Sequence, residues 1–227
     1  MFTLDAVVPW GRSFDEYRAM FALSDADFRG PILGCGDGPA SFNAVATARG
    51  ATVCSCDPLY QCSVSEIQER IAATYDPVLK QFRQNLDQFI WERFGSVEDF
   101  GRYRLATMEA FLKDYPVGKR EGRYSAASLP MLPFAAGIFE LALCSHLLFL
   151  YEEQLDLEFH VSAVLEMCRV ARECRVFPLL ALRGTRSTFV EPVIKAAREA
   201  GFVARIEQVS YEFARGGNQQ LRVRRPE

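Results

Sequence analysis

The segment PILGCGDGPASF, residues 31–42, sets three glycines at alternate positions directly after a short apolar run. The apolar run predicts a buried parallel strand, and the residues after the glycines predict a helix that ends at Gly50. A second apolar strand, ATVCSC at residues 51–56, follows. Residues 31–57 therefore predict a strand, loop, helix and strand in succession, a unit typical of doubly wound α/β proteins.

Residues 63–116 interrupt the alternation of strands and helices with aromatic-rich sequence at helical spacing. Serine caps, an Asp-Pro pair and a glycine predict three successive helices there. We interpret the insertion as helices that pack on the sheet and close as a lid over a substrate pocket. The predicted helix boundaries are Ser63, Asp76-Pro77, Gly95-Ser96 and Pro116.

The rest of the chain resumes an α/β pattern and ends in a predicted hairpin joined at residues 215–217. The fold class predicted is α/β: a seven-stranded, doubly wound, mostly parallel sheet with a C-terminal antiparallel hairpin and a helical insertion after the second strand. We expect one domain over residues 1–227. Further strands are predicted at 123–127, 138–146, 174–182, 202–213 and 218–225, and further helices at 13–23, 154–171 and 188–200.

Composition excludes some classes of function. The net charge of −3 argues against a general nucleic-acid binder. The longest apolar stretch is interrupted by Glu140 and His146 and is too short to span a bilayer, so no membrane partner is expected. The N-terminus has no basic region and carries Asp5 within its apolar run, unlike a signal peptide. These features predict a cytoplasmic protein.

The seven cysteines are an odd number in a chain that shows no secretory signal, which predicts free thiols in a reducing compartment. Cys54, Cys56 and Cys62 lie close in sequence, but no histidine and no second cysteine pair has zinc-site spacing. We therefore expect no metal.

The glycine loop lacks the features of the common phosphate-binding loops. Gly34, Gly36 and Gly38 read G-x-G-x-G, and Pro39 stands where a dinucleotide fingerprint needs its last glycine. Asp57, at the end of the second predicted strand, can accept hydrogen bonds from both hydroxyls of a ribose. This pattern favours a nucleoside without a pyrophosphate and disfavours a nicotinamide-dependent reductase.

At this point the sequence resembles the class I S-adenosylmethionine-dependent methyltransferases. The resemblance rests on GCGDGPASF, on Asp57, and on SLPMLPFAAGIFELALCSHLLFLY at residues 128–151. ASFN, LCSHLLFLY and YEFARGGN are similar to a bacterial subgroup of unassigned substrate. The resemblance implies S-adenosylmethionine as cofactor and methyl transfer to a small-molecule acceptor.

The sequence departs from the family pattern at three positions. In the best register Gly34 takes the place of the usual acid near the methionine end of the cofactor, which leaves Asp37 or Tyr17 as substitutes. Ser128 stands where an aspartate often contacts the adenine amine, and Glu140 replaces a further aspartate. These departures keep a second hypothesis open, a methyltransferase-like protein that has lost catalysis and acts as a binding or partner subunit.

Ligands of open α/β sheets bind beyond the carboxyl ends of the strands. Three stretches of this chain are expected to converge there: the glycine loop, residues 57–59 and residues 144–146. His146 is the predicted general base, with pocket shaping as its alternative role, and Tyr151 is a second candidate for contact with the acceptor. The predicted cofactor-binding residues are Tyr17, Gly34, Cys35, Gly36, Asp37, Gly38, Ser41, Phe42, Asp57, Pro58, Leu59, Ser128, Leu129, Cys144 and Ser145.

Overall fold

The computed structural model describes residues 2–4 and 6–226 and contains one seven-stranded sheet in the order β3-β2-β1-β4-β5-β7-β6. The central strands pair in parallel, whereas β7 is antiparallel to both β5 and β6 and lies between them. The predicted fold class is thus confirmed. The strands are β1 (Ile32–Cys35), β2 (Val53–Cys56), β3 (Tyr124–Ser125), β4 (Phe139–Ser145), β5 (Ala171–Phe177), β6 (Val203–Gln208) and β7 (Gln219–Arg224).

Helices cover both faces of the sheet, and several begin where the sequence predicts a cap. Ser13 and Glu16 form a reciprocal capping box at the first helix, and Ser63 and Glu66 form another at the third. The helices are α1 (Phe14–Met20), α2 (Phe42–Ala48), α3 (Val64–Gln84), α4 (Val97–Arg120), α5 (Leu157–Val170) and α6 (Val190–Glu199).

The insertion between β2 and β3 contains two long helices, so the prediction of three helices divided at Asp76-Pro77 is wrong. Pro77 lies inside α3, and Pro116 lies inside α4 instead of ending it. A proline within a helix costs about 3 kcal/mol, because a hydrogen bond is lost and the ring crowds the preceding turn. Buried side chains on both sides of Pro77, such as Ile71 and Phe82, hold α3 together through core packing.

Three predicted strands are clearly shorter in the structure, and the one expected at 202–213 is β6, which ends at Gln208 where its ladder with β7 ends. The strand expected at residues 123–127 is reduced to the two residues of β3. The strand expected at 174–182 begins earlier and ends at Phe177. Pro178 follows and has no N–H to donate to a ladder, so the chain leaves the sheet there and is free to border the site.

A buried ion pair ties the insertion to the N-terminal part of the chain. Both terminal nitrogens of Arg104 in α4 bond the carboxylate of Glu16 in α1 at 2.7 Å, and neither side chain is exposed. A bidentate pair fixes direction as well as distance, so it sets the position of α4 over α1.

None of the helices in the described part of the chain is long and apolar enough to cross a membrane.

Candidate functional site

A cavity of about 510 Å³ lies at the carboxyl ends of β1, β2 and β4. Such edges are where open α/β sheets bind ligands, and the volume is in the usual range for small-molecule sites. The walls come from Phe2, Leu4 and several of residues 7–12, the glycine loop, the helical insertion, and the loops after β4 and β5. The cavity is therefore assembled from segments distant in sequence.

The glycine loop brings bare backbone to this cavity. Gly36 and Gly38 both have positive φ angles, +66° and +51°, which glycine adopts without the cost that a side chain adds. A Cβ atom on Gly36 would lie 2.6 Å from the side chain of Leu147, whereas one on Gly38 would meet nothing closer than 3.9 Å. The hydroxyl of Tyr60 donates to the carbonyl of Gly38 at 2.7 Å and holds the loop from behind.

Asp57 lines the cavity at the end of β2, as predicted. Its carboxylate accepts the N–H of Gly38 at 2.8 Å and the N–H of Leu59 at 2.7 Å. Burial raises the pKa of Asp57, and these two hydrogen bonds oppose that effect. A carboxylate has about four acceptor positions, so Asp57 retains capacity for a ligand while it fixes the loop.

Asp37 and Tyr17, the predicted substitutes for the missing acid at Gly34, also line the cavity and bond each other. The hydroxyl of Tyr17 donates to Asp37 at 2.7 Å, and that of Ser55 donates to the other carboxylate oxygen at 2.6 Å. Burial raises the pKa of Asp37 to about 6, and the charge of Asp57 adds to the rise. A cationic group in the cavity would offset both effects.

The end of β4 places His146 in the cavity wall with a φ of +56°, which is uncommon for a residue other than glycine. Its Nδ1 lies 2.8 Å from the hydroxyl of Ser145, and the backbone N–H of His146 donates to the carbonyl of Phe177. Burial and the charges of Arg12 and Arg104 hold the pKa of His146 well below its usual range. The imidazole is therefore neutral near pH 7.

Tyr151 follows β4 and is buried against the cavity, where its hydroxyl accepts the N–H of Val8 at 3.3 Å. Burial raises the pKa of this phenol, so it keeps its proton and can donate a hydrogen bond. The contact with Val8 also places Tyr151 beside the N-terminal segment.

Not all predicted site residues reach the cavity. Pro58, Leu59, Ser128, Leu129 and Ser145 line it together with the residues described above. Five others pack behind the loop and outside the lining: Gly34, Cys35, Ser41, Phe42 and Cys144.

Two of these outer residues still support the site. The ring of Phe42 stacks on that of Tyr17 with centroids 4.4 Å apart, and the N–H of Ser41 donates to the carbonyl of Arg12.

Burial raises the pKa of Cys144 to about 12, so its thiol stays protonated and unreactive. Within residues 2–4 and 6–226, no group of three or more histidine, cysteine or acidic residues is placed to hold a metal ion.

The helical insertion contributes directly to the cavity through Arg70, Val78, Phe82, Gln88 and Phe89. It also braces the glycine loop, because one hydroxyl in α4, that of Tyr115, donates to the carbonyl of Tyr60 at 2.8 Å. The same segment thus packs against the sheet and lines the cavity.

Sequence reasoning missed the N-terminal segment, which supplies Trp10 and Arg12 to the cavity, and also missed Tyr211 and Phe213. The signal in the sequence is an N-terminal run that is mostly apolar and ends in Trp10 and Arg12. Contacts over long sequence separations, such as that of Arg104 with the carbonyl of Gly11 at 2.7 Å, bring this segment to the site.

The strand order and the site at the carboxyl edge define a Rossmann-like fold of the class I methyltransferase type. The chain is similar to NcsB1, an O-methyltransferase from neocarzinostatin biosynthesis solved with S-adenosyl-L-homocysteine and 1,4-dihydroxy-2-naphthoic acid. That likeness has a TM-score of 0.50 at 12% identity, over 92% of this chain and 53% of NcsB1. The N-methyltransferase NodS from Bradyrhizobium japonicum WM9 gives a TM-score of 0.49 at 15% identity, over 94% and 97% of the two chains. At these identities the likeness concerns the fold alone.

The sequence itself matches an archaeal protein. It is 33% identical over 216 residues to the uncharacterized protein MJ0045 of Methanocaldococcus jannaschii, and the match covers 95% of each chain. The chain belongs to the family of MJ0045. No protein-family model matches the sequence. The expected bacterial subgroup is not confirmed, since this relative is archaeal.

Proposed function

We propose that this protein is an S-adenosylmethionine-dependent methyltransferase that acts on a small-molecule acceptor. The observation that carries the proposal is the position of Asp57. Its carboxylate lies in the cavity wall at the end of β2, fixed by the N–H of Gly38 from the glycine loop. An acid at that place, with open backbone beside it, suits a ribose whose substituent carries no pyrophosphate.

The residues present fit this cofactor. Asp57 would accept hydrogen bonds from the ribose hydroxyls, and the open space beside Gly38 allows close approach of a ligand. Asp37, whose carboxyl has a pKa of about 6, would supply negative charge to the cationic methionine end. When bound, S-adenosylmethionine supplies a methyl group activated on a sulfonium.

The protein's own contribution to catalysis is alignment and, where the acceptor must lose a proton, a base. The neutral imidazole of His146 lines the cavity and is the group able to accept that proton. Tyr151 would position the acceptor through its O–H. We also propose that residues 63–116 act as a lid, since α3 both lines the cavity and contacts the N-terminal segment through Phe82 and Phe2.

The proposal is tested by incubating the purified protein with methyl-deuterated S-adenosylmethionine and the small-molecule fraction of a cell extract. We expect S-adenosylhomocysteine to form and one extract component to gain the mass of the labelled methyl group. Binding of S-adenosylhomocysteine without any labelled product across extracts would instead support the catalytically silent protein.

A further inference from the structure

The buried ion pair between Arg104 and Glu16 leaves a second arginine without a carboxylate. Each oxygen of Glu16 already receives two donors. Oε2 accepts one Arg104 nitrogen at 2.7 Å and the N–H of Ser13 at 2.9 Å. Oε1 accepts the other Arg104 nitrogen at 2.7 Å and the hydroxyl of Tyr211 at 2.9 Å. Glu16 is therefore saturated by neighbours that do not include Arg12.

Arg12 lies in the cavity wall next to this pair. Among the ion pairs of the described residues none involves Arg12, and one of its nitrogens donates to the carbonyl of Trp10 at 2.6 Å. Its Nε is buried without a hydrogen-bond partner. Burial and the charge of Arg104 lower the pKa of Arg12 to about 10, and the more distant charge of Glu16 opposes this only in part. The guanidinium remains charged at pH 7 and lacks a counter-charge within hydrogen-bond distance.

Other donors surround the same part of the cavity. The indole Nε1 of Trp10 is buried without a partner. The hydroxyl of Tyr151 accepts from Val8 and retains its own proton for a ligand. Arg12 Nε and Trp10 Nε1 are both buried donors without a partner, and such a donor is costly unless a ligand satisfies it. The arrangement suits an anion that binds the guanidinium fork.

We propose that Arg12, assisted by Trp10 and Tyr151, binds a carboxylate of the methyl acceptor, so that the substrate class is an apolar carboxylic acid. This inference rests on the proposed function. Phe82, Phe89 and Phe213 line the same cavity and offer an apolar surface to the body of such a molecule.

The place of Arg12 relative to the strands favours the acceptor over the cofactor's own carboxylate. Tyr151 follows β4 and Tyr211 precedes β7, whereas Asp57 follows β2 on the other side of β1. Arg12 acts electrostatically on both tyrosines. Arg12 thus lies near residues that follow β4 and precede β7, on the side of the cavity where we place the acceptor.

The test compares acids with their uncharged amides: benzoate and benzamide, cinnamate and cinnamamide, octanoate and octanamide. Binding is followed by the fluorescence of Trp10 in a Trp91→Phe background, since the chain has two tryptophans. We expect at least one acid to bind about tenfold more tightly than its amide, a preference that Arg12→Gln abolishes and Arg12→Lys retains in part. Arg120→Gln is the matched control, because Arg120 is an exposed arginine in α4 that lies outside the cavity lining.

The inference is overturned if none of the three acids is preferred, or if the preference survives in Arg12→Gln. It is also overturned if Arg12→Gln leaves the binding of the acids intact but weakens the binding of S-adenosylhomocysteine. In that case the binding of 5′-methylthioadenosine, which lacks the carboxylate, would be unchanged. The proposed function fails separately: a protein that prefers the acid but binds no S-adenosylhomocysteine would retain the anion site without the cofactor.

Discussion

The carboxylate of Asp37 occupies the space that a side chain at Gly34 would fill. A Cβ atom placed on Gly34 would overlap the Asp37 carboxyl group. The absence of an acid at position 34 and the presence of one at position 37 are thus two parts of one arrangement, in which the negative charge comes from the loop instead of the strand. Tyr17 and Ser55 hold it in place.

Gly34→Ala is expected to displace Asp37 and so to break its bonds with Tyr17 and Ser55. Loss of buried hydrogen bonds to a charged group should lower the free energy of unfolding by about 2–4 kcal/mol. Urea unfolding measures this, with Gly50→Ala as the control for glycine replacement, because a Cβ on Gly50 meets nothing within 4 Å although its φ is positive. Equal losses in both variants would contradict the account.

Asp37→Asn should change how stability depends on pH. Since the pKa of Asp37 is raised from 3.8 to about 6, the folded protein binds this proton more tightly than the unfolded chain. This group therefore lowers the free energy of unfolding as pH rises from about 4 to 6, by up to about 3 kcal/mol. Asparagine can still accept from Tyr17 and carries no charge.

Denaturant unfolding at several pH values between 4 and 7.5 isolates this contribution as the difference between wild type and Asp37→Asn. We expect the variant to become the more stable of the two as pH rises through 6 in the absence of ligand. Parallel stability curves would show that Asp37 does not titrate as the structure indicates.

His146→Asn tests the base. If the imidazole removes a proton from the acceptor, turnover should fall about 10²–10⁴-fold, with little change in S-adenosylhomocysteine affinity. The low pKa of His146 places its ionisation well below pH 6.5. The ionisation of His146 should therefore cause no change in the wild-type rate between pH 6.5 and 8.5. A rate that rises through an ionisation near pH 7 and keeps that rise in the variant would assign the base elsewhere.

The insertion at residues 63–116 is expected to slow its hydrogen exchange when S-adenosylhomocysteine and an acceptor acid bind together. The protected amides should lie around the cavity-lining residues Val78, Phe82 and Phe89. The distant helix α6 serves as the internal reference, since it lies outside the cavity lining. Uniform exchange in the insertion with and without ligands would leave it a packing element only.

Local sequence patterns predicted the elements whose causes are local. The glycine loop, the capping boxes at Ser13 and Ser63, and the placement of Asp57 each depend on a few adjacent residues. The patterns failed at Pro77 and Pro116, because burial of the surrounding side chains outweighs the local cost of proline. That competition is decided by tertiary contacts.

The side of the cavity that holds Asp37 and Asp57 was predictable from the sequence, whereas the side that holds Arg12 and Tyr211 was not. Asp37 and Asp57 follow strands, so topology brings them together. Arg12 and Tyr211 reach the cavity through the buried pair of Arg104 with Glu16, which joins residues 88 positions apart. No local sequence pattern predicts such a contact. The Asp37 carboxylate fills the space beside Gly34, which explains why no acid stands at position 34. Only the structure shows this packing.

Calorimetric titration of the wild type and of Asp57→Ala with S-adenosylhomocysteine and with NAD tests whether Asp57 holds the ribose of the cofactor. We expect the wild type to bind S-adenosylhomocysteine in preference to NAD. Asp57→Ala should weaken this binding at least about tenfold, because charge-assisted hydrogen bonds are worth roughly 1.5–3 kcal/mol each. Tight binding of NAD without binding of S-adenosylhomocysteine, or unchanged affinity in Asp57→Ala, would contradict this expectation.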